Sequence, residues 1–158
     1  MGGQLKQTQK EIPEFVVWAT RDPKSAPLQR VQIIKGWTSD TGLREKVYDV
    51  ACASGEPVGP PAYQCPDVAP SVSLEDCSWD QNAGSSELKT LWQDPDFKHE
   101  EQAFYYARDA LRSNVRPRTD QDRTIKPLSG VIPAGDKEML IQERACSSPI
   151  WYQPHSMN

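Results

Sequence analysis

Only two histidines, His99 and His155, occur among the 158 residues, and no glycine-rich phosphate loop, nucleophile elbow or metal-ligand run accompanies them. A multi-metal phosphoesterase centre needs several imidazoles and carboxylates converging on its ions, and two histidines cannot supply them. Ser54, Ser85 and Ser148 have no histidine at an interpretable spacing, so a Ser-His-Asp hydrolase finds no support. No catalytic, cofactor-binding or metal-binding residue is assigned, and no cofactor is expected. Long apolar runs are also missing: no window approaches the roughly 20 residues of a membrane helix, and MGGQLKQTQKEIPEF has no apolar stretch that would make it a signal peptide. Neither is there an excess of positive charge. With 18 basic and 22 acidic residues the net charge is -4, which gives no long-range attraction for phosphate backbones or anionic lipid. Neither nucleic acid nor a membrane is expected as a partner. The one basic cluster, Arg112, Arg116, Arg118, Arg123 and Lys126, is diluted by Asp120 and Asp122 and broken by Pro117, and reads as a solvated loop.

Aliphatic residues are scarce as well. Leu, Ile, Val and Phe make up 29 of the 158 residues, and mean hydropathy is -0.70, so the core must be thin. The low net charge argues against disorder, and five Trp and five Tyr are available for burial. A folded domain with long polar loops is implied.

What is present is strand-like. Glu14–Thr20 is β-branched and aromatic and is closed by Asp22 and Pro23. Leu28–Trp37 and Lys46–Cys52 both alternate, and the turn chemistry of Thr38–Gly42 between them predicts a β-hairpin. Glu87–Trp92 alternates weakly before Asp94-Pro95-Asp96, and Ser148–Tyr152 suits a final strand. Glu100–Arg112 is ambiguous: Ala103, Tyr106, Ala107, Ala110 and Leu111 have helical spacing, whereas Phe104, Tyr105 and Tyr106 favour a strand. Residues 1–13 read as a linker or lead-in, 14–152 as a single domain, and 153–158 as a tail. Short strands between turn-rich segments indicate a mainly β fold, an antiparallel β-sandwich with long irregular loops.

Residues 53–79 contain Pro57, Pro60, Pro61, Pro66 and Pro70, which exclude a helix or central strand. Loops this long are usually functional or tied down. Cys52, Cys65 and Cys77 are candidates for the tie; they lack a C-x-x-C knuckle, so a disulfide is favoured over a metal, and the pairing is open. Cys146 is expected to be an unpaired, buried thiol. Asp94, Asp96, Glu100 and Glu101 form an acidic knot beside His99, which turn chemistry explains better than a calcium site does. Trp18, Trp37, Trp92, Tyr105, Trp151 and Tyr152 are expected mostly in the core, with Trp79 exposed. A glycan- or protein-binding surface would use the proline-rich loop, with Tyr63 and Trp79.

The ordered blocks MGGQL, EFVVWATRDPKSAPLQRVQIIKGW, EKVYDVACA, SSELKTLWQDPDF, QAFYYAR and IQERACSSPIWY resemble the C-terminal region of the domain-of-unknown-function 3604 family, secreted bacterial proteins related to PHP-type metal hydrolases. The resemblance implies a strand for Ala103–Arg108 and an immunoglobulin-like sandwich. It also implies a periplasmic or extracellular location, in which disulfides persist. The family's metal ligands lie in an upstream module and none of their motifs falls in this chain. The implied role is a non-catalytic accessory domain, its partner either that upstream hydrolase module or, in isolation, a second copy in a homodimer.

Overall fold

The computed structural model describes residues 2–5, 12–23, 25–66, 80, 83–111, 114–115, 140–142 and 144–154. The chain is mainly β, and no helix occurs among the described residues. The described residues form ten strands: β1 (Gly3–Leu5), β2 (Glu14–Thr20), β3 (Leu28–Ser39), β4 (Gly42–Cys52), β5 (Glu87–Gln93), β6 (Ala103–Leu111), β7 (Asn114–Val115), β8 (Leu140–Ile141), β9 (Arg144–Cys146) and β10 (Ile150–Tyr152). The large sheet has the order β1-β10-β6-β3-β4, with β9 pairing β6 beyond the end of β10. β2 and β5 form a second, two-stranded sheet, and β7 and β8 a third.

The hairpin forms where turn chemistry placed it. Ser39 pairs with Gly42 across Asp40 and Thr41, and Gly42 has φ 109°, a value that a residue without Cβ adopts at no steric cost. The Ser39 hydroxyl donates to the Gly42 carbonyl at 3.0 Å, and Arg44 donates to Thr41 Oγ1 at 2.7 Å. β3 lies between β4 and β6 in the large sheet, antiparallel to both. Both faces of its middle are covered: Val31, Ile33, Ile34 and Lys35 are all buried, although a strand with one wet face would bury only alternate residues.

The segment with competing helical and strand signals is β6, antiparallel to β3. Its helical spacing is overridden because Tyr105 finds a buried place between the sheets and Phe104 packs over Gly36. A Cβ at Gly36 would come 2.3 Å from Phe104 Cζ, so glycine makes room for the cross-strand aromatic.

The two larger sheets meet face to face through rings. Phe15 of β2 packs on Tyr105, with centroids 4.7 Å apart. Trp92 of β5 packs on Tyr48 at 5.1 Å, while Tyr152 and Ile33 complete that cluster. Beside it, Leu88 meets Leu28 and Val31. A chain poor in aliphatic residues thus builds its core around aromatic area, each ring removing more apolar surface from water than a valine would.

Three expectations change. Gly3–Leu5, within the proposed lead-in, is a strand, parallel to β10 with Gly3 opposite Ile150. Its Gly-Gln composition gives no alternation to read; the exposed edge of β10 supplies the partner. Cys146 is a free thiol but is exposed, not buried, because β9 is short and exposed along its length. Trp18 and Trp151 are also outside the core, 68% and 51% exposed. Trp18 lies on the outward face of β2, opposite in direction to Phe15 and Val17. Trp151 lies against Phe104 on the side of the large sheet away from β2 and β5.

Candidate functional site

Tyr63, the described residue of the suggested binding surface, stands within the proline-rich loop with φ 49°, an uncommon backbone state for a residue with a side chain. Two attachments hold it there. The Tyr63 carbonyl accepts from Asp49 N at 2.9 Å, and two residues later Cys65 is bonded to Cys52, closing a loop of sequence separation 13. Among the three candidate cysteines, Cys52 and Cys65 therefore form the bridge. Cys77 and Trp79 lie outside the described residues, as does the basic cluster from Arg116 onward.

Asp49 is the anchor on β4. Its buried carboxylate accepts from Cys65 N at 2.6 Å, from Gln32 Nε2 at 2.6 Å and from Arg30 at 3.1 Å. Gln32 in turn accepts from Arg108 Nε at 2.9 Å, so the loop is tied through β4 and β3 to β6. A buried carboxylate is tolerated when donors surround it in this way.

The ring of Tyr63 meets Tyr48 edge-on at 5.5 Å, and the Lys46 ammonium lies over both rings, 4.8 Å from Tyr48 and 5.7 Å from Tyr63. Lys46 also pairs with Asp96, whose side chain is 52% exposed. Tyr63, Lys46 and Asp96 thus form a half-exposed group with an aromatic ring, a cation and an anion in contact. Donation by Lys46 and then by Tyr48 holds the Asp96 carboxyl below the usual range.

Beneath this group the acidic knot is resolved into an ion-pair network. Lys35 of β3 pairs with Asp94 at 2.7 Å, with side chains 2% and 0% exposed, and donates to the Asp96 carbonyl at 2.9 Å. Asp94 also accepts from Tyr105 Oη at 2.8 Å and from Asp96 N at 2.9 Å. Tyr48 donates to Asp96 at 2.7 Å. The Asp94-Pro95-Asp96 segment therefore works as turn chemistry, and its carboxylates are engaged by lysines, tyrosines and a backbone amide. Glu101 lies 3.9 Å from Lys35 and takes Lys98 at 2.9 Å. His99 joins through its backbone carbonyl, which accepts from Tyr152 Oη at 2.9 Å.

Burial first, and then donation to the neighbouring carboxylates, pushes the Tyr48 and Tyr105 hydroxyls well above their ordinary 10.0. Their protonated form is the one that fits the fold. The unfolded chain loses these protons near pH 10.0 while the folded chain keeps them, so stability is intact below that point and declines as pH rises beyond it. Phenolate absorbance during an alkaline titration should show Tyr48 and Tyr105 ionising only together with loss of tertiary signal. Independent ionisation of all five tyrosines in the folded protein would contradict this.

A second feature escaped the sequence. On the outward face of β2 and β5, Val16 is 80%, Trp18 68% and Leu91 60% exposed, and Val16 sits directly opposite Leu91. Glu14–Thr20 is apolar on both of its faces, so alternation could not reveal that one of them meets solvent.

The model of a family described as protein of unknown function, DUF3604, matches residues 1–154. The chain belongs to this family. No curated protein and no solved structure matches the chain. The DUF3604 match extends across all three sheets described above, the Cys52–Cys65 bridge, Tyr63 and the buried Lys35–Asp94 pair.

Proposed function

We propose that this DUF3604 chain is a non-catalytic accessory domain, placed C-terminally in a secreted bacterial protein related to PHP-type hydrolases, and that its two face-to-face sheets are an immunoglobulin-like sandwich. The observation that carries the reading is the solvent-facing row of Val16, Leu91 and Trp18. Large apolar side chains contiguous on a rigid strand pair mark a surface that another protein covers. The Cys52–Cys65 bridge supports an extracytoplasmic setting, where such bonds persist. In isolation the same row pairs two copies into a homodimer.

The test is to produce the upstream hydrolase module separately and titrate it with this chain in a calorimeter. Association should weaken about tenfold or more in the Trp18→Glu variant, a loss of about 1.4 kcal/mol, while the variant's melting temperature is nearly unchanged because the side chain faces water. No association, or equal association by the variant, would reject the accessory role.

A second reading rests on Tyr63, Lys46 and Asp96. A ring flanked by an exposed ion pair is suited to stacking and hydrogen-bonding a sugar. Trp92, packed on Tyr48 at 5.1 Å, is a fluorescence reporter for it. A saturable shift with oligosaccharides, abolished by Tyr63→Ala, favours glycan binding over the accessory role.

A further inference from the structure

We infer that the free edge of β2 is a docking site for an extended, uncharged strand from a partner polypeptide, which joins the small sheet and fills the cleft beside it. The inference rests on the accessory reading only for where such a strand comes from. Among the described residues, β2 pairs with β5 alone, so every second backbone amide and carbonyl of β2 points away from the sheet.

A cleft of about 660 Å³ opens along that side, between β2 and the part of the large sheet that carries β1, β10 and the middle of β6. Its wall includes the four consecutive residues Phe15–Trp18. Successive side chains of a strand point to opposite faces, so a cavity that touches four in a row must run along the strand's edge, where the backbone is. The floor is supplied by Ile33, Tyr105 and Ile150, which gives apolar contact for alternate residues of an added strand. Four residues of contact correspond to about 13 Å of extended chain.

Charge selects the occupant. In a chain that is 25% charged, none of the described residues lining this cleft is Asp, Glu, Lys, Arg or His. An acidic or basic segment would lose its hydration there with no opposite charge to meet it, whereas a Val/Thr-type strand would bury apolar side chains and satisfy its backbone against β2. A small ligand usually finds several convergent polar groups, whereas of the polar side chains on this lining Gln4 already donates to Gln153 and the Ser147 hydroxyl is bonded to Ala107 N and the Ser148 carbonyl. A second copy's β2 fits poorly as the added strand, because its inward residues Phe15 and Val17 are already packed in their own core.

The experiment uses the full chain and a fluorescein-labelled, end-blocked eight-residue peptide of alternating Val and Thr. Binding is followed by anisotropy, and exchange of the β2 amides by NMR. The expected result is saturable binding that slows exchange at alternate residues of Glu14–Thr20. It should weaken about tenfold or more, about 1.4 kcal/mol, when alternate peptide nitrogens are methylated, or when every Thr is replaced by Lys. An Ala107→Glu variant, which puts a charge on the cleft lining, should lose binding. If that variant does not fold, the methylated peptide carries the test alone. Equal binding of the methylated peptide would overturn the proposal, since strand pairing would then not be the mode. Slow exchange at all β2 amides without peptide would also overturn it, by assigning the edge to this chain itself. Peptide failure together with Trp18-dependent binding of the hydrolase module would sink the strand-docking inference and leave the accessory role standing; the reverse pattern would do the opposite.

Discussion

Replacing Asp94 with Asn should destabilise the chain by about 3 kcal/mol, because it leaves the Lys35 ammonium buried without its counter-charge. Both side chains are almost fully enclosed, 2% and 0% exposed, so water cannot take over the lost interaction. The amide oxygen of the replacement can still accept from Tyr105, but its NH2 then faces the Asp96 amide that the second carboxylate oxygen accepts from, so the loss includes that hydrogen bond as well as the charge. Glu101, 3.9 Å from Lys35, moderates the effect and places it at the lower end for a broken buried pair. A Lys35→Met/Asp94→Asn double variant should be more stable than the sum of the single changes allows, by about 1–3 kcal/mol. Urea unfolding of the four proteins completes the cycle. A loss under about 1 kcal/mol for Asp94→Asn would mean that the network is incidental to joining β5 with β3 and β6.

Breaking the Cys52–Cys65 bridge should have a comparable effect. A loop with a sequence separation of 13 restricts the unfolded chain enough to contribute about 3 kcal/mol. Cys52→Ser/Cys65→Ser should therefore unfold at lower urea, and reductant should shift the natural chain toward the same midpoint. Tyr63 should become mobile along with its loop, although Asp49 retains its bond to Cys65 N. The pairing itself is open to mapping. Chymotryptic cleavage after Tyr63 separates Cys52 from Cys65, and cleavage after Leu74 separates Cys65 from Cys77. An unreduced digest should join the Cys52 and Cys65 peptides; four free thiols in the oxidised, denatured chain would disprove any bridge.

Strands with a buried face were the most legible part of the sequence. Glu14–Thr20 was found to the residue, and the hairpin was found because Thr38–Gly42 concentrates turn chemistry between alternating segments. β1 was hidden, since Gly3–Leu5 is ordered by its neighbour and not by its own composition. Tyr63 and the cysteines could be named as candidates, but the choice of Cys52 with Cys65 depends on where Asp49 holds the loop. The Lys35 network was beyond reach for a similar reason. Lys35 and Asp96 are 61 positions apart, and a lysine at the centre of a strand carries no local sign that carboxylates and a tyrosine will surround it. The outward row of Val16, Trp18 and Leu91 shows the opposite limit, because an apolar residue reads as core whether or not anything covers it.

The pairing of β1 with β10 has a kinetic side. Gly3 lies against Ile150, so this edge of the large sheet joins residues far apart in sequence. On a ribosome β1 must wait for its β10 partner until that later segment has emerged. Closing so distant a contact carries a large entropic barrier, and folds dominated by such contacts fold slowly. The hairpin of β3 and β4 can form early and locally; the outer edge is necessarily the last part of the sheet to be sealed.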